Sequence, residues 1–525
     1  MLILKLIRSM STIGLFIALS RILGFVRDIL IAALLGASPL ADAFFAAFKL
    51  PNFFRRLFAE GVLNAAFVPL YARLYASKGL EKAQRAAEEV FAMLLLALVF
   101  LVAVFEVFMP QLIHIVAPGF KATPERMEIT ITFARITFPY ILFISLAALI
   151  GGVLNSHGKF SAASSAPIFL NIIMILSLVS SASCFETPGH ALSFGALIAG
   201  ICQFLWVFWA AHRAGIALRL RMPRRTPAVN NLLKAIVPAA FGAGVVQINL
   251  LSDMMIASFL PTGALSYLYY ADRLNQLPLS LIGVALSTAL LPILSSHLQQ
   301  NLDEKAQYIQ NRGLEIALML TLPASMALMV FSEPVMTVLF ERNAFQHENV
   351  IETAKTLSAF ASGLPAYVFI KILSTSFFAR YDMGTPAKVG IVAFALNLML
   401  NFLLMGPFKH VGIAMATSMS AWVHAAILAF FLKRRGQLVL DHRFKNRFPR
   451  IVLSSLMMGI FLIIIQLYCP YNGTHIVLQA SILSSVILGG LMIYLLTSLL
   501  TGAVAWEDLK GIIKSARETK QERSH

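Results

Sequence analysis

The sequence predicts an all-α protein that crosses a membrane fourteen times. Of its 525 residues, 58% are hydrophobic and 13% are charged, whereas a soluble globular protein is about 45–50% apolar and about 25% charged. The apolar residues gather in runs of about 20 or more, the length at which a helix spans a bilayer. The loops between these runs are alternately rich in and nearly free of Lys and Arg, which is typical of a multi-pass membrane protein.

The apolar runs define fourteen predicted helices, numbered in chain order. Several are longer than the bilayer is thick, so we expect tilted or broken helices among them. The predicted helices cover residues 10–35, 42–75, 86–115, 128–155, 160–182, 191–212, 229–259, 264–297, 307–339, 351–379, 386–405, 410–432, 449–469 and 476–501.

The loop charges predict the orientation of the chain. Basic residues are concentrated after predicted helices 2, 6 and 12 and in the C-terminal tail, which places these segments and both termini in the cytoplasm. The net charge of +17 therefore reflects topology, and we expect no nucleic-acid partner. The loops 36–41, 183–190, 260–263 and 470–475 carry no Lys or Arg; the exceptions among the outer loops are Lys121, Arg126, Arg342 and Lys409.

An internal repeat divides the chain. Related residues recur 223 to 226 positions apart, and they include Pro69 and Pro292, Pro110 and Pro334, Gly158 and Gly384, and Asn171 and Asn397. We interpret predicted helices 1–6 and 7–12 as two copies of one unit with the same orientation, related by a pseudo-two-fold axis along the membrane normal. This predicts an N-terminal lobe (1–226), a C-terminal lobe (227–435), an extra helix pair (436–506) and a basic cytoplasmic tail (507–525).

Charged side chains interrupt the apolar stretch 20–60. An arginine near the bilayer centre costs about 2.5–3.5 kcal/mol, so these side chains should face a water-filled cavity or one another. Gly24 is a candidate bend that would bring Arg21 and Arg27 to one cavity, and Pro51 should kink or break predicted helix 2. The supporting polar residues of this stretch are Asp28, Asp42, Asn52 and Glu60, with Asn52 on the face of Arg55 and Glu60 on the face of Arg56.

Predicted helix 8 supplies a matching set from the second copy. It carries Asp272, Arg273 and Gln276 and is stopped by Pro278. Arg21, Arg27, Arg55 and Arg273 are therefore candidates to converge across the pseudo-axis. Because a guanidinium binds phosphate oxygens with two parallel hydrogen bonds and stays charged, such a cavity favours a diphosphate cargo. The alternative is that each arginine pairs with a local carboxylate and only joins helices.

A second polar set lies in predicted helices 7, 11 and 12. Asp253, Asn397, Asn401 and Thr417 offer oxygen ligands that suit a small cation such as Na⁺; the alternative is hydrogen bonding between helices. The stretches 451–468 and 476–500 of predicted helices 13 and 14 carry no charge, so these helices either only pack against the rest of the protein or line a groove for a hydrocarbon tail. We recognise no enzyme signature such as a phosphate-binding loop or HExxH, and we expect a transporter without a cofactor, apart from Na⁺ as a coupling or structural ion.

Long segments of the chain resemble one family. SRILGFVRD, GASPLADAFFAAFKLPNFFRRLFAEG and AFVP, and later YYADRLNQLP followed by GVAL and LLP, are similar to the signatures of the MurJ (MviN) family, part of the multidrug/oligosaccharidyl-lipid/polysaccharide exporter superfamily. The resemblance covers essentially the whole chain. It implies a flippase of the bacterial inner membrane that moves lipid II, an undecaprenyl-diphosphate-linked disaccharide pentapeptide, from the inner to the outer leaflet.

The resemblance also implies roles for single residues. Arg21, Arg27, Arg55 and Arg273 fall on the family's cavity arginines, and Asp42 falls on its important acidic position. The candidate sodium ligands match a site proposed in some members, except that Asn401 stands where a member can have Asp. Predicted helices 13 and 14 match the pair thought to hold the lipid tail. Other cell-wall synthesis proteins and membrane lipids are further implied partners.

These observations predict transport by alternating access. The arginines take the diphosphate from the cytoplasmic side, the lobes rock about the pseudo-axis, and Gly24, Pro51 and Pro278 act as hinges. Two alternatives stay open. One is a flippase for another polyprenyl-linked glycan, and the other is a membrane scaffold for cell-wall enzymes, in which the intramembrane arginines would be dispensable.

Overall fold

The computed structural model describes residues 2–56, 67–216, 218–222, 226, 230, 247–249, 251–468 and 476–504. This part of the chain is almost entirely helical. It contains no β-strand, and its one isolated bridge joins Arg342 and Phe345. The all-α prediction is therefore confirmed for the described residues.

The chain divides into two compact units, one of Met1–Ser266 with Arg342–Gln346 and one of Tyr267–Glu341 with His347–His525. The helices of the first unit are α1 (Leu2–Leu35), α2 (Pro39–Arg55), α3 (Val68–Val107), α4 (Met109–Val116), α5 (Pro124–Thr137), α6 (Tyr140–Ser156), α7 (Ser161–Val179), α8 (Ser181–Cys184) and α9 (Pro188–Arg213). Residues 247–249 and 251–257 are also helical.

The described helices of the second unit follow in chain order, and the first of them begins in the first unit. They are α10 (Ala264–Pro278), α11 (Ala285–Gln299), α12 (Asp303–Val330), α13 (Ser332–Phe340), α14 (His347–Ser362), α15 (Leu364–Phe378), α16 (Gly384–Arg434), α17 (His442–Tyr468) and α18 (Ile476–Leu500). The long α16 contains the turn predicted between helices 11 and 12, because Lys409 has a φ of 50° and interrupts its helical geometry.

Ten helical stretches of the described residues are long and apolar enough to cross a membrane. Large apolar side chains on them point outward; Phe100 is 70% exposed and Leu176 is 60% exposed. This exposure suits contact with lipid rather than water. The count of fourteen helices stays a prediction, because residues such as 231–246 lie outside the described part.

In the first unit, α7 packs against α1 and α9, and α9 also packs against α6. Small residues on α9 permit the close approach. A Cβ at Gly200 would lie 2.6 Å from the ring of Tyr140, and one at Gly195 would lie 2.6 Å from the hydroxyl of Ser177. Helix pairs in membranes commonly approach through such small residues.

In the second unit, α12 packs against α11, α14, α15 and α17, and α17 packs against α18. One apolar cluster includes Leu294, Leu314 and Phe377, which come from α11, α12 and α15. Another includes Phe331 and Met458 and joins α17 and α18 to the end of α12. The extra C-terminal helices are therefore packed into the second unit.

Both copies of the repeat break at equivalent places. The helix of the first copy is interrupted at Phe108 and that of the second at Phe331, and each interruption is followed by a proline of the pair 110 and 334. The interruption before Tyr140 likewise corresponds to the one at Gly363. Proline is tolerated in the first turn of a helix but not in its interior, so the repeated prolines account for the repeated breaks.

A repeated hydrogen bond also supports the equivalence of the two copies. The buried Glu88 on α3 accepts a bond from the backbone N–H of Arg219, at 3.1 Å. The buried Asn311 on α12 accepts one from the backbone N–H of Asp441, at 3.4 Å. The acceptors lie 223 residues apart and the donors 222 apart. The equivalent long helix of each unit, α3 in the first and α12 in the second, therefore bonds to the segment that follows the last helix of that copy.

The two prolines expected to act as hinges behave differently. Pro51 lies inside α2, which remains helical to Arg55, so Pro51 does not break this helix; the kink at Pro51 stays a prediction. The side-chain amide of Asn52 donates to the carbonyl of Phe48 at 2.8 Å, and such side-chain bonds compensate backbone groups near an intrahelical proline. Pro278 is the last α-helical residue of α10, but it does not stop the helix as expected, because a π-helical turn over Leu279–Val284 and then α11 continue one helical stretch from Ala264 to Gln299. The hinge roles themselves stay predictions.

Candidate functional site

Arg27 is the most enclosed of the four candidate cargo arginines. It lies on α1 and is 5% exposed. Its Nε and Nη2 donate to one carboxylate oxygen of the neighbouring Asp28, at 3.1 and 2.8 Å, and its Nη1 donates to Oδ1 of Asn171 on α7, at 3.0 Å. A buried charge pair is stabilising only when further hydrogen bonds satisfy it, and Asn171 supplies one here.

The sequence allows α7 to approach this part of α1 because Gly24 has no side chain. A Cβ at Gly24 would lie 3.5 Å from the amide of Asn171. The amide nitrogen of Asn171 donates to the carbonyl of Ser20, at 2.8 Å. Asn171 thus bridges α7 to two points of α1, Ser20 and Arg27, which lie about two helical turns apart. The helix α1 remains helical through Gly24.

The other two arginines of the first unit are less enclosed. Arg21 is exposed and Arg55 is half-buried. Arg55 Nε donates to Oδ1 of Asn52 at 3.3 Å, so the two residues predicted to share a face of predicted helix 2 are in contact. Glu60, the last supporting residue predicted in this stretch, lies outside the described residues.

Asp42 is at the centre of a different cluster. Its carboxylate is completely buried and accepts bonds from the backbone N–H groups of Gly263 and Ser266, at 2.7 and 2.9 Å, and from the hydroxyl of Ser266, at 2.6 Å. It thereby caps the N-terminus of α10, where free N–H groups and the helix dipole favour an anion. Arg126 on α5 completes the cluster through a 2.5 Å ion pair with Asp42.

Sequence reasoning did not assign a role to Arg126, although it offered a signal. Arg126 is, like Lys121 of the same loop, one of the few basic residues in the predicted outer loops. The structure explains the exception: Arg126 is 5% exposed, neutralises Asp42 and lies over the ring of Phe120, 3.8 Å from its centroid.

In the second unit, Arg273 is half-buried on α10 and lies over the ring of Tyr269, 5.9 Å from its centroid. One turn away, the side-chain amide of Gln276 donates to the carboxylate of Asp272. Arg273 and the three other candidate arginines belong to different units, so their convergence stays a prediction.

Lys371 is a cation that sequence reasoning missed. It lies in α15, inside a stretch long and apolar enough to cross a membrane. Its Cδ would be 2.9 Å from a Cβ placed on Gly283, the buried glycine of the π-helical turn. Within the described residues no ion pair of Lys371 is found. Ionisable residues at membrane depth and π-helical turns both tend to mark functional sites.

The candidate sodium ligands are partly brought together. Asn401 Nδ2 donates to Oδ1 of Asn397 at 3.1 Å, and Asn397 Nδ2 donates to the hydroxyl of Thr417 at 3.4 Å. All three lie on α16. Asp253, on the helical segment 251–257, belongs to the first unit, so a four-residue site stays a prediction.

Comparisons with known proteins agree with one another. The family model described as lipid II flippase MurJ matches residues 31–483. A protein of Rhizobium tropici named probable lipid II flippase MurJ is 40% identical over 508 residues, which is 95% of each chain. The solved structure titled lipid II flippase MurJ, inward closed conformation, matches with a TM-score of 0.77 and 28% identity, over 93% of this chain and 98% of that one.

A more distant structure shares the fold. An inward-facing multidrug resistance MATE family transporter of the MOP superfamily matches with a TM-score of 0.66 over 79% of this chain and 94% of its own, at 14% identity. At that identity the likeness concerns the fold alone. The all-α, multi-pass architecture predicted from composition is therefore the architecture of known membrane transporters.

Proposed function

The chain belongs to the lipid II flippase MurJ family, and from this premise we propose that it moves lipid II from the inner to the outer leaflet of the bacterial cytoplasmic membrane. It acts as a transporter, not as an enzyme. The observation that carries the proposal is the family match over residues 31–483 together with a near full-length relative of that name. Lipid II is the partner this implies; membrane lipids and other cell-wall synthesis proteins are further proposed partners.

The diphosphate of lipid II is the part of the cargo that the arginines are suited to bind. Arg27 is buried and oriented by two side chains, and Arg55 is oriented by Asn52. A guanidinium held in place loses less conformational entropy when it binds a phosphate. In the proposal Arg21 and Arg273 serve the same diphosphate, and Lys371 adds a positive charge in the second unit.

The proposed transport cycle is alternating access. The cavity opens to the cytoplasm, takes the head group and releases it outside, while the polyprenyl tail stays in lipid beside α17 and α18. Support for the last point is the apolar surface of these helices, on which Leu467 is 75% and Leu488 is 62% exposed. Both termini lie in the cytoplasm in this proposal, in agreement with the basic loops.

A monovalent cation such as Na⁺ is proposed as a coupling or structural ion. Asn397 and Asn401 are buried, and they are adjacent to each other and to Thr417, because Asn401 Nδ2 donates to Asn397 Oδ1 and Asn397 Nδ2 donates to the Thr417 hydroxyl. The three side chains thus bring amide and hydroxyl oxygens to one part of α16. Such oxygens fit a hard cation. Asp253 would add the single carboxylate of the site.

The test is complementation of depleted cells. Depletion of the protein should leave lipid II inaccessible at the outer leaflet, and the wild type should restore its access. Arg27→Ala should not restore it, because the buried cation of α1 is lost, whereas the control Arg85→Ala removes an exposed arginine of α3 and should restore it. Membrane levels of both variants are measured by immunoblot.

Other outcomes would reject parts of the proposal. Full restoration by Arg27→Ala would remove the arginine from the cargo site. Unchanged lipid II access together with accumulation of another polyprenyl-linked glycan would show that the cargo is different. Restoration by every variant of a candidate arginine would favour the scaffold alternative.

A further inference from the structure

Asn171 is a buried amide that contacts the cargo arginine from another helix. It is 5% exposed on α7, and all three of its hydrogen bonds go to α1. Its Oδ1 faces the guanidinium of Arg27, and its Nδ2 faces the carbonyl of Ser20 at 2.8 Å and the Ser20 hydroxyl at 3.3 Å. This orientation of the amide is the one that sets each acceptor opposite a donor.

We propose that Asn171 is the positioning residue of Arg27, which it holds in the direction required for the diphosphate. Asp28 cannot fix that direction by itself, because it is the next residue on the same helix. Asn171 is 144 residues away in sequence and ties the guanidinium to α7. The inference rests on the proposed function, since it concerns the binding of lipid II.

Comparison of the two copies of the internal repeat shows that the contact between an amide and an arginine is particular to the first unit. Asp28 corresponds to Asp253, 225 residues later, and Asn171 corresponds to Asn397, 226 residues later, but Arg27 corresponds to Ser252. In the second unit the equivalent amide bonds with Asn401 and Thr417 instead. Both copies thus have an amide at this position, but only in the first copy does this amide accept a hydrogen bond from an arginine at the position equivalent to Arg27.

A second buried amide that joins α7 to a neighbouring helix provides a matched control. Gln203 on α9 is a buried amide whose Nε2 donates to the carbonyl of Ala166 on α7 at 2.9 Å, and whose oxygen accepts from the hydroxyl of Tyr140 at 3.3 Å. Its loss removes a comparable bond between helices without touching Arg27. Gln203→Ala therefore reports the cost of losing a buried amide as such.

The experiment measures the affinity of the purified full-length protein for lipid II in nanodiscs, with apparent melting temperature recorded for each variant. Asn171→Ala should weaken binding about tenfold, the effect of one hydrogen bond to a charged group. Gln203→Ala should leave affinity unchanged, whatever it does to the melting temperature. In an Arg27→Ala background, Asn171→Ala should cause no further loss, because a positioning residue acts through the group that it positions.

A second variant covers the case in which Asn171→Ala does not fold. Asn171→Leu keeps a side chain of similar size but removes the acceptor that holds Arg27, so its affinity for lipid II should also fall. Wild-type affinity in a folded Asn171 variant would overturn the inference, and so would a further loss in the Arg27→Ala background. If Arg27→Ala itself binds normally, the proposed cargo site fails as well, and this outcome is distinct from failure of Asn171 alone.

Discussion

At the scale of single residues, the Asp42 cluster shows how a buried charge is tolerated in this protein. The carboxylate receives hydrogen bonds from two backbone N–H groups and one hydroxyl at the start of α10, and an ion pair from Arg126. Each of its oxygens has at least two donors. Removing one member of such a cluster costs more than replacing all of it, because the remaining members keep their desolvation cost.

We therefore expect Asp42→Asn to destabilise the protein by about 3–5 kcal/mol, the usual effect of leaving a buried charge without its partner. The amide would also direct N–H groups toward the donors of Gly263 and Ser266. The measurement is the apparent melting temperature in detergent. The double variant Asp42→Asn, Arg126→Met should be less destabilised than the sum of the single variants, and strict additivity would contradict the coupling.

Single residues also show which side-chain contacts of the candidate site could be predicted from the sequence. Helical spacing was sufficient to pair Asn52 with Arg55, because the two are three residues apart on one helix. Arg126, Asn171 and Lys371 have no predicted role, because the residues that they contact or approach lie on other helices. A single sequence reveals which face of a helix a residue occupies but not which helix lies opposite.

At the scale of elements, the turn before α16 ties together both ends of that helix. Asp382 accepts bonds from the backbone N–H and the hydroxyl of Thr385, at 2.9 and 2.6 Å, near the start of α16. It also accepts a bond from Arg435 Nη1, at 2.6 Å, just after its end. The chain can return in this way because α16 turns at Lys409. Hydrogen bonds from Arg435 and Thr385 lower the pKa of Asp382 to about 2.

This pKa predicts how the stabilisation depends on pH. A carboxyl whose pKa falls on folding stabilises the protein above its unfolded pKa of about 4, and the contribution disappears as the pH falls toward the folded value. Asp382→Asn should thus lower the melting temperature slightly, by about 1 °C for a partly exposed ion pair, and by the same amount at pH 8 and pH 5.

The control for this prediction is Glu128→Gln, which neutralises an exposed carboxylate of α5 beyond the first turn of that helix. It should not change the melting temperature at either pH. A difference between Asp382→Asn and the wild type that shrinks between pH 8 and pH 5 would show that the carboxyl titrates higher, and that Arg435 and Thr385 do not stabilise its charge.

Element boundaries were predicted less well than element identity. Predicted helix 9 (307–339) is interrupted at Phe331 in the structure, and predicted helix 10 (351–379) at Gly363. Both sides of each interruption are apolar, so hydropathy does not reveal it. Pro334, next to the interruption at Phe331, belongs to the sequence repeat, and it is the one local signal that marks an interruption of predicted helix 9.

At the scale of the whole molecule, the predicted equal orientation of the two copies indicates which loops lie on which side of the membrane. Each copy contains an even number of predicted helices, and the bonds of Glu88 and Asn311 hold equivalent segments of the two copies. If the basic segments lie in the cytoplasm, both copies begin and end there. Loop 183–190 then lies outside, together with the exposed Cys184.

A native cysteine allows this orientation to be tested. With Cys202 and Cys469 replaced by alanine and serine, a membrane-impermeant maleimide should label Cys184 in intact spheroplasts, because its loop is predicted to face outward. In the same background with Cys184→Ser, the variant Ser77→Cys places an exposed thiol before the basic segment that follows predicted helix 2. It should react only after the membrane is permeabilised. The reverse pattern would place both termini outside and contradict the proposed inner-to-outer direction, whereas labelling of both thiols in sealed spheroplasts would contradict the assignment of the loops to opposite faces.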